Sequence, residues 1–228
     1  MKKALSLVFV HALAGIVLSA PALAQDLKGN AEKGTTKVAM CIGCHGIPGY
    51  QASFPEVYKV PMISGQGAGY IASALTAYRA GERKHPSMRA IARSLTDQDI
   101  ADVAAFYEPH LAKGASAPAA PPEQAAAPNA EVQKLLTKGG CVACHGANFS
   151  KPIAGSPKIA GQHADYLFAA LRAYKIEGNA NVGRANVVMA GMVKQFSNAE
   201  LKSIAGYIGS LPGELRTVRQ PPFHTAAR

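Results

Sequence analysis

Residues 41–45 read CIGCH and residues 141–145 read CVACH. The two motifs contain all four cysteines of the 228-residue chain, and a histidine directly follows each cysteine pair. A C-x-x-C pair commonly serves as half of a zinc site, as a redox dithiol or as a haem attachment site. The histidine that follows the second cysteine helps to separate these possibilities.

Haem attachment gives the histidine of each motif a role. The two thiols form thioethers with the porphyrin vinyl groups, and the adjacent histidine binds the iron from one face. A zinc site with four thiolates would join the two motifs but leave both histidines unexplained, and a disulfide would do the same. We therefore predict two covalently bound haem c groups, attached through Cys41, Cys44, Cys141 and Cys144.

The chain repeats itself around these motifs. The segment PMISGQGAGYIASALTAYRAGE at 61–82 matches PKIAGQHADYLFAALRAYKIEG at 157–178, at a constant offset of 96 residues. A later pair of segments, 94–111 and 195–212, matches at an offset of 101 residues. The blocks occur in the same order in both halves, so the sequence indicates an internal duplication with one cysteine–histidine motif in each half.

Each half has the pattern of helices around a small core. Thr96 followed by Asp99, and Ser197 followed by Glu200, are typical of capping boxes at helix starts. Behind each box, apolar residues recur at the spacing of one helical face. They are Ile100, Val103, Ala104 and Tyr107 in the first copy and Leu201, Ile204, Ala205 and Ile208 in the second. No alternating strand pattern is found, so we predict an all-α fold of two tandem domains, each wrapped around one haem.

The division of the chain follows from composition. The first residues, MKKALSLVFVHALAGIVLSAPALAQ, combine two lysines, an apolar run and an A-x-A site, which is typical of a cleaved signal peptide over 1–24. Domains are predicted at 25–112 and 131–212. A linker rich in Pro and Ala joins them at 113–130, and a basic, flexible tail is predicted at 213–228.

The signal peptide and the charge limit the cellular setting. Export places the protein in the periplasm, and loss of Lys2 and Lys3 with the leader lowers the formal net charge from +10 to about +8. Nucleic acid is an unsuitable partner for an exported chain without a concentrated basic stretch. We expect a monomer whose partners present an acidic docking patch, with anionic membrane as a possible further contact.

His45 and His145 fill one face of each iron, and the second axial ligand decides between an electron carrier and an enzyme. Methionine is the usual second ligand in electron-transfer sites of this type. Met88 and Met189 both lie eight residues before the capping box of their half, and 43 and 44 residues after the haem histidine. We predict these two as ligands. Met192, five residues before its capping box, is the rival in the second half.

Other side chains are candidates for contacts with the haem propionates. Arg79 and Lys175 occupy equivalent places in the repeat and either pair with propionates or remain solvated. Four tyrosines at equivalent positions are predicted to pack near the haems. They are Tyr70, Tyr78, Tyr166 and Tyr174.

The paired CxxCHG, [SA]GQ and Met elements over about residues 30–212 resemble the dihaem cytochromes c4. The resemblance implies two class I cytochrome c domains that face each other with their propionate edges close together. It also implies that the carbonyls of Pro61 and Pro157 accept hydrogen bonds from the haem histidines. The long linker and the basic tail depart from the family pattern.

The function implied is periplasmic transfer of electrons between respiratory redox partners, towards a terminal oxidase, without substrate turnover. Two alternatives remain open at this point. One is the electron-accepting cytochrome subunit of a periplasmic dehydrogenase. The other is a haem enzyme, such as a dihaem peroxidase or a thiosulfate-oxidising cytochrome, which would require an iron with an open or exchangeable position.

Overall fold

The computed structural model describes residues 27–109 and 127–219. Three predicted segments lie wholly or partly outside these residues: the signal peptide, most of the linker and the last nine residues of the tail. In the part of the chain that is described, no helix is long and apolar enough to cross a membrane.

Each half of the described chain contains five helices. Those of the first half are α1 (Ala31–Gly34), α2 (Ala39–His45), α3 (Ala68–Ala80), α4 (Pro86–Arg93) and α5 (Asp97–Tyr107). Those of the second half are α6 (Ala130–Lys138), α7 (Val142–His145), α8 (Ala164–Ala173), α9 (Val187–Lys194) and α10 (Asn198–Ser210). The predicted all-α fold of two similar domains is confirmed.

The core of each domain forms around its last helix. Helix α5 packs against α1 and α3, and α10 packs in the same way against α6 and α8. All eight residues of the two predicted apolar faces are buried. In the first domain α1 approaches α5 very closely, because a Cβ on Gly34 would lie 2.4 Å from the carbonyl oxygen of Asp102. Any larger residue at 34 would therefore push the two helices apart.

Both predicted capping boxes are present. The Thr96 hydroxyl accepts a hydrogen bond from the Asp99 amide, while the Asp99 carboxylate accepts one from the Thr96 amide. Ser197 and Glu200 make the same reciprocal pair at the start of α10. Each box satisfies amide groups that the first helical turn leaves without partners.

Two short antiparallel ladders add to the helices, and their two-residue strands are too short to produce an alternating sequence pattern. Strands β1 (Gln51–Ala52) and β2 (Tyr58–Lys59) form a hairpin in the first domain. Strands β3 (Arg83–Lys84) and β4 (Gly183–Arg184) pair across the two domains, with Arg83 opposite Arg184. The second ladder therefore joins the halves directly.

Two glutamines hold the domains together in a nearly symmetric arrangement. The buried Gln66 side chain donates to the carbonyl of Lys158 at 2.9 Å and accepts from its amide at 2.9 Å. The buried Gln162 side chain donates to the carbonyl of Met62 at 2.9 Å and accepts from its amide at 3.1 Å. Gln66 and Gln162 are 96 residues apart, so the two copies of the [SA]GQ element face each other at the boundary.

The first part of the predicted tail is not free of the domains. Leu215 is only 1% exposed, and the amide of Arg216 donates to the carbonyl of Ser64 in the first domain at 3.0 Å. Glu214 forms an ion pair with Lys158 at 2.6 Å. The expectation of a flexible tail from 213 onwards is therefore wrong for 213–219, because an apolar side chain and a backbone bridge fasten this segment across the boundary.

Candidate functional site

The cysteine–histidine motifs lie on matching short helices. Cys41 and Cys44 are in α2, while Cys141 immediately precedes α7 and Cys144 lies within it. No disulfide joins any two of the four cysteines in this structure, so each remains available for a thioether bond. Burial raises the pKa of the Cys41 thiol to about 11. Burial also raises the pKa of Cys141.

Each motif histidine is oriented by a proline carbonyl. The Nδ1 atom of His45 lies 2.8 Å from the carbonyl oxygen of Pro61, and Nδ1 of His145 lies 3.0 Å from that of Pro157. A carbonyl can only accept, so each Nδ1 carries the hydrogen and each Nε2 keeps its lone pair for a metal. The contacts that the resemblance implies are thus present.

The charge state of these histidines also suits ligation. Burial lowers the pKa of His45 and of His145, and the hydrogen bonds to the proline carbonyls only partly oppose this effect. A lowered pKa keeps each imidazole neutral at pH 7, which is the form that binds iron. The arrangement therefore provides two preoriented nitrogen ligands.

The methionine candidates occupy two equivalent helices. The Met88 amide donates to Nδ1 of His85 at 3.4 Å, and the Met189 amide donates to the Asn186 side chain at 2.9 Å. Both methionines are the third residue of their helix, are partly buried and pack against the core cluster of their domain. Cys41 and Cys141 pack against the same two clusters, so each methionine and its attachment motif border the same core.

Met192 lies on the outer side of the same helix α9. It is 44% exposed and does not belong to the core cluster of the second domain. This placement favours Met189 over Met192 as the ligand. The assignment of Met88 and Met189 to the irons stays a prediction.

Two arginines that were not predicted from the sequence lie at the boundary between the domains. Arg83 is 9% exposed and Arg184 is partly buried, and they are 101 residues apart, which is the offset of the later repeat block. Among the described residues neither guanidinium forms an ion pair with a carboxylate, and the buried Nε of Arg83 has no hydrogen-bond partner. The offset of 101 residues, which the two arginines share with the later repeat block, is the feature of the sequence that could have revealed this pair.

A buried cation and a partly buried one, side by side, need anionic partners. The carboxylates of haem propionates meet this need, so the unpaired Nε of Arg83 and the absence of an acidic partner fit a haem edge at this boundary. A narrow crevice there is lined by side chains of both domains. They include Tyr58, Tyr78, His85, Tyr166 and Arg184.

The two cations proposed earlier for propionates have other partners. Arg79 forms an ion pair with Asp97 and donates to the carbonyl of Leu95 at 3.2 Å. Lys175 donates to the carbonyl of Phe196 at 2.7 Å. Both side chains therefore fasten the loop before the last helix of their own domain.

The other histidines that are described serve as helix caps or connectors. His85 is the N-cap of α4 and His163 is the N-cap of α8. His110 and His224 lie outside the described residues. His85 and His163 therefore lie at helix starts, apart from the CxxCH motifs.

Comparison with known proteins agrees with this geometry. The family model described as cytochrome c matches residues 31–108 and 129–212, once in each domain. A cytochrome c4 from Stutzerimonas stutzeri is 31% identical over 201 residues, which cover 80% of this chain and 90% of that protein. The chain belongs to the dihaem cytochrome c4 family. As a cytochrome c4 it carries two covalently bound haem c groups and is an electron-transfer protein, not an enzyme.

Solved structures and a further relative extend the comparison. The reduced recombinant cytochrome c4 from Pseudomonas stutzeri is 28% identical, with a TM-score of 0.57, and covers 80% of this chain and 99% of its own. A protein named thiosulfate dehydrogenase electron acceptor, from Stutzerimonas stutzeri, is 31% identical over 213 residues, or 87% of this chain and 92% of that protein. The thiosulfate dehydrogenase TsdBA from Marichromatium purpuratum is 25% identical, with a TM-score of 0.54, and covers 79% of this chain and 40% of its own.

The haems supply the one-electron chemistry, and the chain controls their surroundings. Its described residues orient the two imidazoles, pack one methionine against the same core as each attachment motif, and bury positive charge at the domain boundary. These are the features by which a protein sets haem potentials.

The number of haems can be measured directly. Denatured mature protein, produced in a host with haem-attachment machinery, should exceed the mass of its polypeptide by two haems. Changing Cys41 and Cys44 to alanine should remove one of the two, and the matching change at Cys141 and Cys144 should remove the other. Intact-mass spectrometry measures this, and a single haem in the parent protein or bound zinc would contradict the assignment.

Proposed function

We propose that this cytochrome carries electrons in the periplasm between respiratory redox partners and delivers them to a terminal oxidase. The N-terminal sequence supports export to the periplasm. The periplasm is also the compartment in which haem c is attached to a CxxCH motif. The observation that carries the proposal is the presence of two complete haem motifs in domains that meet at a shared boundary. Two such domains allow one electron to enter through one haem and leave through the other.

The boundary suits transfer between the haems. The glutamine bonds hold the two domains in one orientation, and the facing arginines favour propionate groups at the same place. A fixed orientation keeps the separation of two redox centres constant and so preserves the rate between them. We therefore assign electron transfer between the two haems to the boundary, and contact with redox partners to the outer surfaces.

A second function has a specific observation in its favour. The relative from Stutzerimonas stutzeri named thiosulfate dehydrogenase electron acceptor matches this chain over 92% of its own length. A chain of this kind can receive electrons from a periplasmic dehydrogenase as a bound or transient partner. The first function specifies the electron acceptor, a terminal oxidase, and the second specifies the electron donor, a dehydrogenase.

The two functions are separated by measuring the reaction with each partner. Reduced holoprotein is mixed with oxidase-containing membranes of the source organism, and oxidation is followed in the visible haem bands. Oxidised holoprotein is mixed separately with a thiosulfate dehydrogenase and thiosulfate. Rapid oxidation by membranes supports the oxidase partner, whereas rapid reduction by the dehydrogenase supports the second function. Failure of both reactions would contradict the proposed role.

Salt should slow the encounter with an acidic partner. The mature chain carries about +8, against up to four propionates, so the molecule remains positive. Electrostatic steering raises association rates by roughly 10- to 1,000-fold. The Debye length falls from about 30 Å at 0.01 M to about 10 Å at 0.1 M, and we expect a roughly tenfold lower rate constant over this range.

Stopped-flow oxidation at a series of salt concentrations measures this effect. A variant that ends at Arg219 tests the tail without disturbing 213–219, which pack on the domains. It loses only one arginine, so most of the salt dependence should remain. A rate in the parent protein that does not change with salt would indicate an apolar or permanent interface instead.

A further inference from the structure

One tyrosine hydroxyl connects the two boundary arginines. The Nη2 atom of Arg83, in the first domain, donates to Oη of Tyr166 in the second domain at 2.8 Å. Nη2 of Arg184 donates to the same oxygen at 3.1 Å. A phenol oxygen can accept two hydrogen bonds, so Tyr166 can hold both guanidiniums at once.

The equivalent tyrosine of the first domain does not make this connection. Tyr70 precedes Tyr166 by the repeat offset of 96 residues, and it accepts only from Nη1 of Arg83, at 3.2 Å. Among the described residues, Arg184 donates a side-chain hydrogen bond to Tyr166 alone. The two halves of the boundary are therefore unequal, although the sequence repeat is nearly symmetric there.

The charge around Tyr166 agrees with this arrangement. Burial by itself raises the pKa of the Tyr166 phenol, but the nearby charges of Arg184 and Arg83 lower it to about 8. The same tyrosine ring lies under the Arg184 guanidinium at 5.6 Å, and the Arg83 guanidinium lies over the Tyr78 ring at 4.8 Å. Aromatic faces attract cations at such distances.

Placing two guanidiniums side by side has an electrostatic cost. Like charges at short range repel, most strongly where water is excluded. A shared acceptor lowers this cost and fixes the direction of both fork-shaped groups. It leaves the buried Nε of Arg83 free for a carboxylate. Tyr166 and Arg184 line the crevice between the two domains.

We propose that Tyr166 is a positioning residue that holds Arg83 and Arg184 together as one binding site for propionate carboxylates of both haems, and so sets how one electron is shared between the haems. A fixed positive charge near a propionate favours the reduced haem. Without the Tyr166 hydroxyl, Arg184 loses its side-chain acceptor while Arg83 keeps Tyr70. The haem of the second domain should then become harder to reduce.

This inference uses the two covalent haems and does not depend on the identity of donor or acceptor. Its test can therefore fail while the proposed function stands, and the reverse also holds. The matched variants are Tyr166→Phe and Tyr70→Phe in the holoprotein. Each substitution removes one tyrosine hydroxyl and keeps the aromatic ring, and the two tyrosines occupy equivalent positions of the repeat.

A spectroelectrochemical titration gives the two midpoint potentials, and their difference gives the distribution of one electron between the haems. We expect Tyr166→Phe to change this distribution at least threefold, which is about 28 mV because tenfold corresponds to 59 mV for a one-electron couple. We expect Tyr70→Phe to change it less than half as much on the logarithmic scale. Equal changes in both variants, or no change in Tyr166→Phe, would overturn the proposal.

A double-mutant cycle separates positioning from simple packing. If Tyr166 acts through Arg184, then Tyr166→Phe should have little further effect on the potentials of an Arg184→Gln protein. Full additivity of the two changes would contradict the proposal. Thermal unfolding is measured in parallel, and a Tyr166→Phe protein with a lower Tm but unchanged potentials would make Tyr166 a packing residue only.

Discussion

Changing Met88 or Met189 to alanine should abolish half of the methionine-to-iron charge-transfer absorption and lower one of the two haem potentials. A thioether ligand favours ferrous haem, so its loss makes that haem harder to reduce. Axial ligands change haem potentials over a range of about 0.8 V, and we expect a fall on the order of 0.1 V or more. Visible spectroscopy and a redox titration of each holoprotein measure both effects.

Met192→Ala is the matched control, since it removes the same side chain from the same helix as Met189. Met192 is exposed and lies outside the core cluster, so the band and both potentials should remain as in the parent. The ligand assignment in the second domain would be wrong if Met192→Ala removed half of the band while Met189→Ala left it intact. If neither Met88→Ala nor Met189→Ala changed the band or a potential, both methionines would be core residues and not ligands.

Changing both Gln66 and Gln162 to alanine should separate the unfolding of the two domains. Each side chain makes two hydrogen bonds across the boundary to one backbone segment of the other domain. At about 0.5–1.5 kcal/mol per bond, each substitution should lower the coupling between domains by about 1–3 kcal/mol. Calorimetry of the holoprotein should show one transition in the parent and two in the double variant.

The control for this experiment is Gln133→Ala. The side chain of Gln133 lies on the exposed side of α6 and donates only to Thr137 within the same helix, so the transition should hardly move. The single variants Gln66→Ala and Gln162→Ala should be similar to each other because their contacts are nearly symmetric. A double variant that unfolds in the same single transition as the parent would show that other contacts hold the boundary.

The last helix of each domain and its start could be predicted because they depend on residues close together in the chain, whereas the structure has five helices in each half. The capping boxes at Thr96 and Ser197 have their partners three residues away, and both formed as expected. The buried faces of α5 and α10 follow from helical spacing in the same way. The three-residue spacing of the cysteines and the adjoining histidine similarly restrict the chemistry of each motif without knowledge of the fold.

The contacts between the domains could not be predicted from local sequence patterns, because their partners are far apart in the chain. Arg83 donates to Tyr166, which is 83 positions away, and Gln66 contacts a segment 92 positions away. Arg79 and Lys175 looked equally suited to the boundary, since they also match in the repeat. In the folded chain, the side chains of these two residues instead donate hydrogen bonds to the loops before α5 and α10.

The sequence by itself determined the two haem motifs, the duplication, the helical class and the candidate ligands, because each rests on covalent spacing or on the period of one helix. The tertiary structure alone decided which cations meet at the boundary, that Tyr166 and not Tyr70 connects them, and that residues 213–219 return to the first domain. These features arise when two nearly equal surfaces pack against each other. A repeat specifies such surfaces but does not specify how they break their symmetry.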